Sequence, residues 1–189
     1  MARCYSACVP YRYPSFCSNL PHVWLVSDAR NDQALETVLK RLPRGSGFIF
    51  RHYHLDPAAR RARFDRLKRL AHARGHCVIL SGPPQKARNW GADGAYGAPC
   101  ELMRGPAMLR LTTAHSLKDI GQAQRARSSA VLLSPVFRTR SHRDAVPLGA
   151  LRFHLLAAYG KAPLIALGGM NAQRARMHRI KKWAAIDGI

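Results

Sequence analysis

Short apolar runs alternate with helical patterns along most of this chain. Val23 to Ser27 is a continuous run closed by Asp28, the mark of a strand buried on both faces. Leu35, Val38, Leu39 and Leu42 then fall on one helical face. Gly47 to Phe50 reads as a second strand ending at Arg51. Asp56 and Pro57 supply an N-cap and a first helical residue for a long basic helix with Phe64, Leu67, Leu70 and Ala71 inward. Further strands are predicted at Cys77 to Leu80, Gly94 to Tyr96, Met108 to Leu111, Ala130 to Leu133, Leu164 to Leu167 and Ala184 to Ile186.

The intervening segments read as helices of unequal quality. Gln85 to Trp90 is short, and the stretch after the fourth strand is interrupted by Gly97, Pro99, Gly105 and Pro106. Ser116, with Asp119 three residues on, resembles a capping box for a helix to Arg127. Leu151 to Tyr159 is helical, and Asn171 caps a helix that turns Ala175, Ile180 and Trp183 inward. Arg138 to Val146 is too charged for a core and too long for a plain connector, so it is a candidate active-site lid.

Strand-helix alternation of this kind predicts an α/β fold with a parallel sheet: a single TIM-type (β/α)8 barrel. Eight strands without an eighth helix make it a short version, 189 residues against about 250 for the usual barrel. Residues 1–21, rich in Cys, Pro and Tyr, form an N-terminal arm, and residues 22–189 the barrel.

The net charge of +21 raises nucleic acid as a partner. Its basic residues, among them Arg60, Arg61, Arg63, Arg66, Arg125 and Arg174, are spread over every helix, as on solvated faces, and no binding motif accompanies them. Nucleic acid is therefore not expected as the main partner. The odd set Cys4, Cys8, Cys17, Cys77 and Cys100 contains no CxxC pair, which argues against a disulfide framework or zinc finger. The first twenty residues lack a secretory apolar core, and no run of about 18 apolar residues spans a membrane. The expectation is a cytoplasmic protein without a membrane partner.

In such a barrel the chemistry sits at the C-terminal ends of the strands. That rule selects Asp28, Arg51, Ser81, Tyr96, Thr113, His115, Ser134, Thr139, Gly168, Gly169 and Asp187. Gly168-Gly169-Met170-Asn171 opens a helix, so its amides would face an anion; a tight turn needing positive φ is the competing reading. An arginine alone on an apolar strand, as Arg51 is, needs an anionic partner. His52 and His54 would share a strand face but lack further metal ligands.

Several segments, in this order, carry a family resemblance: WLVSD, FIFR, GADGAYG, TAHS, SPVFRTRSHRDAVPLG and ALGGMN. Residues 22–189 resemble the thiamine-phosphate synthase and TenI superfamily of TIM barrels. The resemblance implies thiamine metabolism and a small phosphorylated thiazole or pyrimidine ligand. It implies one of two enzyme activities, a synthase that joins two phosphorylated halves with loss of pyrophosphate or a thiazole tautomerase.

Synthases of the family place an Asn-Asp pair after strand three and an Asp after strand four, which hold Mg²⁺. Here Ser81 and Gly82 stand at the first place and Ala98, Pro99 and Cys100 near the second. The Gln-x-Arg-x-Lys pattern after strand two reads Ile49, Arg51, Tyr53, and His142 replaces the Lys closing the long loop. Synthase activity is doubtful on this reading, and no cofactor is expected, Mg²⁺ entering only if that activity is kept. His115 matches the His of TenI-like proteins and is the candidate acid/base; a helix-capping His is the competing reading. Arg51, Thr113, Ser134, Thr139, Gly168, Gly169, Met170 and Gly188 are the candidate substrate and phosphate contacts. Asp187 stands where the family has a small hydroxyl residue, so its charge would repel a phosphate. A homodimer, a non-catalytic ligand-binding or regulatory barrel, and a nucleic-acid-associated basic barrel are the further readings.

Overall fold

The computed structural model describes residues 20–139, 145–187 and 189. Eight parallel strands close into a barrel: β1 (Val23–Val26), β2 (Gly47–Phe50), β3 (Cys77–Ser81), β4 (Gly94–Gly97), β5 (Leu109–Ala114), β6 (Ala130–Leu133), β7 (Leu164–Leu167) and β8 (Trp183–Ala185). Closure comes from β1 pairing with β8, Val23 opposite Trp183 and Leu25 opposite Ala185. Seven α-helices are described: α1 (Leu35–Arg41), α2 (Pro57–Ala73), α3 (Pro84–Asn89), α4 (Pro99–Leu102), α5 (Leu117–Arg125), α6 (Gly149–Tyr159) and α7 (Ala172–Met177). The architecture is the predicted TIM-type barrel, and no helix is described after β8. The proposed arm lies almost wholly outside the described residues, as do residues 140–144 of the proposed lid.

Alternation within each strand builds two concentric layers. Trp24, Val26, Ile49, Cys77, Ile79, Leu109, Leu111, Leu132 and Ile165 fill the barrel interior. Their neighbours Leu25, Phe48, Phe50, Val78 and Leu80 face α1 and α2. Val131, Leu133, Ala166 and Trp183 face the helices of the second half. At the base the Trp24 indole donates from Nε1 to Pro21 O at 2.9 Å. A Cβ at Gly47 would collide with that ring, so the glycine is what lets the indole lie across the floor.

The helix starts follow local chemistry. Asp56 accepts from the amides of Ala58 and Ala59 at 2.9 and 3.0 Å, as its position before Pro57 predicts. Asn171 likewise accepts from Arg174 N at 2.8 Å. Two readings are corrected: α7 ends at Met177, so Ile180 and Trp183 are buried beyond it, and Arg60 on α2 is buried rather than solvated. Arg63 is likewise drawn inward, pairing with Asp32 and Glu36. Among the described residues no helix is long and apolar enough to cross a membrane.

Candidate active site

The two-residue period decides which side chains reach the mouth. Continuing the inward positions of β1, β2, β5, β6, β7 and β8 upward gives Asp28, Arg51, Thr113, Ser134, Leu167 and Ile186, and all six line a cavity of about 620 Å³. Such a volume suits a small organic ligand. Tyr96, Thr139, His115 and Gly168 line it too, so it gathers five of the predicted contacts, Arg51, Thr113, Ser134, Thr139 and Gly168, with the predicted acid/base.

His115 lies just beyond β5. Its Nδ1 is 2.7 Å from Ser134 O, and a carbonyl only accepts, so Nδ1 carries a proton; in the neutral ring the lone pair is then on Nε2. The ring therefore ties the top of β5 to the top of β6 and does not cap α5. Capping falls to Ser116, which accepts from Asp119 N, while the Asp119 carboxylate takes the His115 amide at 2.9 Å.

Arg51 reaches the cavity from β2. Its Nη2 lies 3.9 Å from Asp28 Oδ2 and its guanidinium sits 5.7 Å over the Tyr53 ring. Burial raises the Asp28 pKa, but hydrogen bonds from Arg30 and the charges of Arg30 and Arg51 outweigh it and hold the carboxyl below its ordinary value. The Tyr96 phenol is pushed up to about 12 by burial, so it stays a neutral donor.

A second hollow of about 390 Å³ adjoins the first at β7 and β8. Arg30, Arg138 and Arg174 surround the Gly168-Gly169 turn there, with Asp187 beside them. Both glycines have positive φ, +95° and +61°. A Cβ at Gly169 would strike the Arg138 carbonyl, and one at Gly168 would lie 2.9 Å from Pro135 Cα. The glycines are required by conformation and by close approach, so the tight-turn reading holds whether or not an anion binds. Met170 buries its side chain in the outer core and can offer a site only its backbone. Arg174 hydrogen-bonds Gly169 O, and Arg30 Nη1 stands 3.7 Å from Asp187, screening the carboxylate that would oppose an anion. Gly188 lies outside the described residues.

A third hollow, on the β3 and β4 side, is lined by Tyr53, Ser81, Gly82, Tyr96 and Glu101. Glu101 escaped the sequence reading because α4 is a single turn in a stretch broken by glycine and proline. Arg30 was missed for a similar reason: it rides on a 3-10 helix, Ala29–Ala34, capped by Asp28.

Comparison with known proteins agrees with this geometry. The model of a family described as thiamine monophosphate synthase matches residues 23–189. The chain belongs to the thiamine monophosphate synthase family. A curated relative, the putative thiamine-phosphate synthase 2 of Aquifex aeolicus, is 31% identical over 65 residues, 34% of this chain and 35% of that one. The match thus spans about a third of the relative's length. The barrel superposes on the thiamine phosphate pyrophosphorylase of Pyrococcus furiosus with a TM-score of 0.72 at 17% identity, covering 86% of this chain and 83% of that one. For a thiamine phosphate pyrophosphorylase from Bacteroides thetaiotaomicron the TM-score is 0.57 at 12% identity, with 88% and 82% covered. At these identities the two superpositions speak for the fold alone.

Within the thiamine monophosphate synthase family, the synthase pattern calls for carboxylates after β3 and β4. Near the second place Glu101, one residue past Cys100, lines the cavity. At the first place β3 ends in Ser81 and runs into Gly82, and the Ser81 hydroxyl bonds the Tyr53 phenol. Asp28 is tied to Arg30 and Arg51. Among the described residues no three His, Cys, Asp or Glu side chains gather to hold a metal. Mg²⁺ favours an octahedral shell with one or two carboxylates and substrate phosphates. Glu101, with a hydroxyl and two phenols beside it, is one carboxylate where the synthase pattern has an Asn-Asp pair and a second Asp.

Proposed function

We propose that this family member binds a thiazole phosphate or thiamine phosphate at the barrel mouth and moves a proton on it through His115. The observation that carries the reading is the 2.7 Å contact of His115 Nδ1 with Ser134 O, at a cavity that opens onto an arginine-lined hollow. The phosphate would lie against Arg30, Arg138, Arg174 and the Gly169 and Met170 amides, where cations and N–H groups favour an anion. The ring would occupy the larger cavity, with the neutral Tyr96 and the Arg51 guanidinium about it.

Proton transfer follows from the tautomer. Nε2 takes a proton from the ligand ring, Nδ1–H holds the imidazole through Ser134 O, and that carbonyl steadies the imidazolium formed. The same nitrogen returns the proton at a second ring position, a tautomerisation with no net loss of atoms. No step of this proton transfer runs through Mg²⁺.

Calorimetric titration with thiamine phosphate, followed by proton-exchange measurement on a thiazole phosphate, tests the reading. Micromolar binding with turnover that survives EDTA is the expected outcome. Binding without turnover favours a non-catalytic, regulatory barrel, and EDTA-sensitive consumption of a pyrimidine diphosphate would return the protein to the synthases. Salt-dependent binding to arbitrary duplex DNA would point to the nucleic-acid alternative.

A further inference from the structure

Behind the mouth, Ser27, His52 and Asp32 form a line of hydrogen bonds ending on the Arg51 backbone. His52 Nε2 lies 2.7 Å from Asp32 Oδ1, and His52 Nδ1 lies 2.8 Å from Ser27 Oγ. Arg51 N donates to the same Ser27 Oγ at 2.8 Å. Chemistry fixes the direction throughout. A carboxylate at neutral pH accepts, so His52 Nε2 carries the proton; in a neutral ring Nδ1 then accepts, so Ser27 donates to it. The serine oxygen keeps a lone pair for the Arg51 amide. Ser27 is fully buried, so this Ser-His-Asp series reaches no substrate and is not a nucleophile.

The line bridges the two layers of the barrel. Arg51 continues the inward positions of β2, whereas His52, one residue on, stacks on Phe50 in the outer layer with ring centroids 4.6 Å apart. That reversal places His52 at φ +38°, a backbone region rarely used by a side chain larger than glycine. The far end is anchored: Arg63 Nε donates to Asp32 Oδ1 at 2.8 Å, and its fork also holds Glu36. On the other side of the peptide, buried Arg60 donates from Nε to Arg51 O at 3.0 Å and from Nη2 to Ser81 O at 2.8 Å. Both polar groups of Arg51's main chain are thus held from behind while its guanidinium faces the cavity.

We propose that His52 is a positioning residue for Arg51, acting through Ser27 to lock the turn that aims the Arg51 guanidinium into the cavity. The hydrogen-bond line is a property of the fold, and its effect on a ligand rests on the reading given under Proposed function. Burial holds the His52 imidazole below its ordinary pKa despite the opposing pull of Asp32, in keeping with the neutral ring that the line requires.

The test uses the full chain in three forms: unaltered, Ser27→Ala, and His52→Phe, which keeps the stack on Phe50. Imidazole nitrogen shifts should show His52 neutral with its proton on Nε2. Amide exchange at Arg51 should quicken by about tenfold or more in both variants, while Leu132 and Ile165 across the barrel are unmoved. A proton on Nδ1, an Arg51 amide indifferent to both changes, or faster exchange throughout the barrel would overturn the proposal. In the ligand arm, His52→Phe should weaken thiamine phosphate binding about tenfold, but less than about twofold when Arg51→Ala is already present. Equal losses in both backgrounds would overturn it. Should the unaltered protein give no heat with thiamine phosphate, the proposed function fails, and the tautomer and the Arg51 exchange still decide the role of His52.

Discussion

The two halves of the barrel share a topology and differ in how they handle charge. In the β1–β4 half, Asp28, Asp32, Glu36, Asp65 and Asp93 each face a cation or a histidine. After Glu101 the only acids in the sequence are Asp119, Asp144 and Asp187, among many arginines and lysines. The first half spends its charges on itself, as in the His52 line and the Arg60 contacts with Phe50, Tyr53 and Trp90. At the hollow by β7 and β8, Arg138 and Arg174 of the second half are joined by Arg30 of the first, and Asp187 is the one carboxylate among the lining residues. Cation excess at a strand end is thus more informative about a ligand than the total of +21.

The sharpest way to break this contrast is at the acid/base. His115→Asn should lower turnover on a thiazole phosphate by about 10²–10⁴ with little change in phosphate affinity, measured as kcat beside a binding titration. An unaffected kcat would remove His115 from the chemistry.

Next in size is the cationic hollow. Arg30→Ala with Arg174→Ala should weaken thiamine phosphate by about 10–100-fold and leave unphosphorylated thiamine nearly unchanged, since a charge-assisted hydrogen bond contributes about 1.5–3 kcal/mol. Equal losses for both ligands would place the phosphate elsewhere.

Two glycines of the second half sharpen the point through stability. Gly169→Ala meets the Arg138 carbonyl at a φ of +61° and should lose about 1–3 kcal/mol in denaturant unfolding. Gly121→Ala, inside α5 where the added Cβ meets only Arg125 Nη1 at 3.7 Å, should gain about 0.4–1 kcal/mol. The opposite order would mean that the turn relaxes freely.

The smallest effect is on pH. The folded pKa of His52 lies below the ordinary 6.5, so below that value the unfolded chain takes up the proton first and stability falls. Asp28, Asp32 and Glu36 are held below 3.8, 3.8 and 4.5, so their contribution is present above those values and is lost as pH falls through the folded pKa. Hydrogen exchange should therefore show β1, β2 and α2 losing protection before β6 and β7 as pH is lowered from 7. Earlier loss in the second half would contradict the division.

Much of this was legible in the sequence because a buried parallel strand writes itself as an apolar run. Its parity then carries to the mouth, which is why Arg51, Thr113 and Ser134 fell into one cavity. The reading lost its footing where the period ended. His52 and His54 read as neighbours on a strand face, whereas β2 stops at Phe50 and the chain turns the His52 imidazole outward to Asp32, with the His54 ring 5.0 Å away. Arg60 reads as one more basic residue on a basic helix, and only the packing of α2 buries it. Glu101 and Arg30 sit on single turns too short to leave a periodic trace, so their place at the mouth depends on tertiary packing that no local pattern encodes.

With the Trp24 indole at its base and the apolar layer above it, the barrel is solid beneath the cavity and has no channel along its axis. The strand-end loops can therefore change shape around a ligand while the pedestal under them stays put.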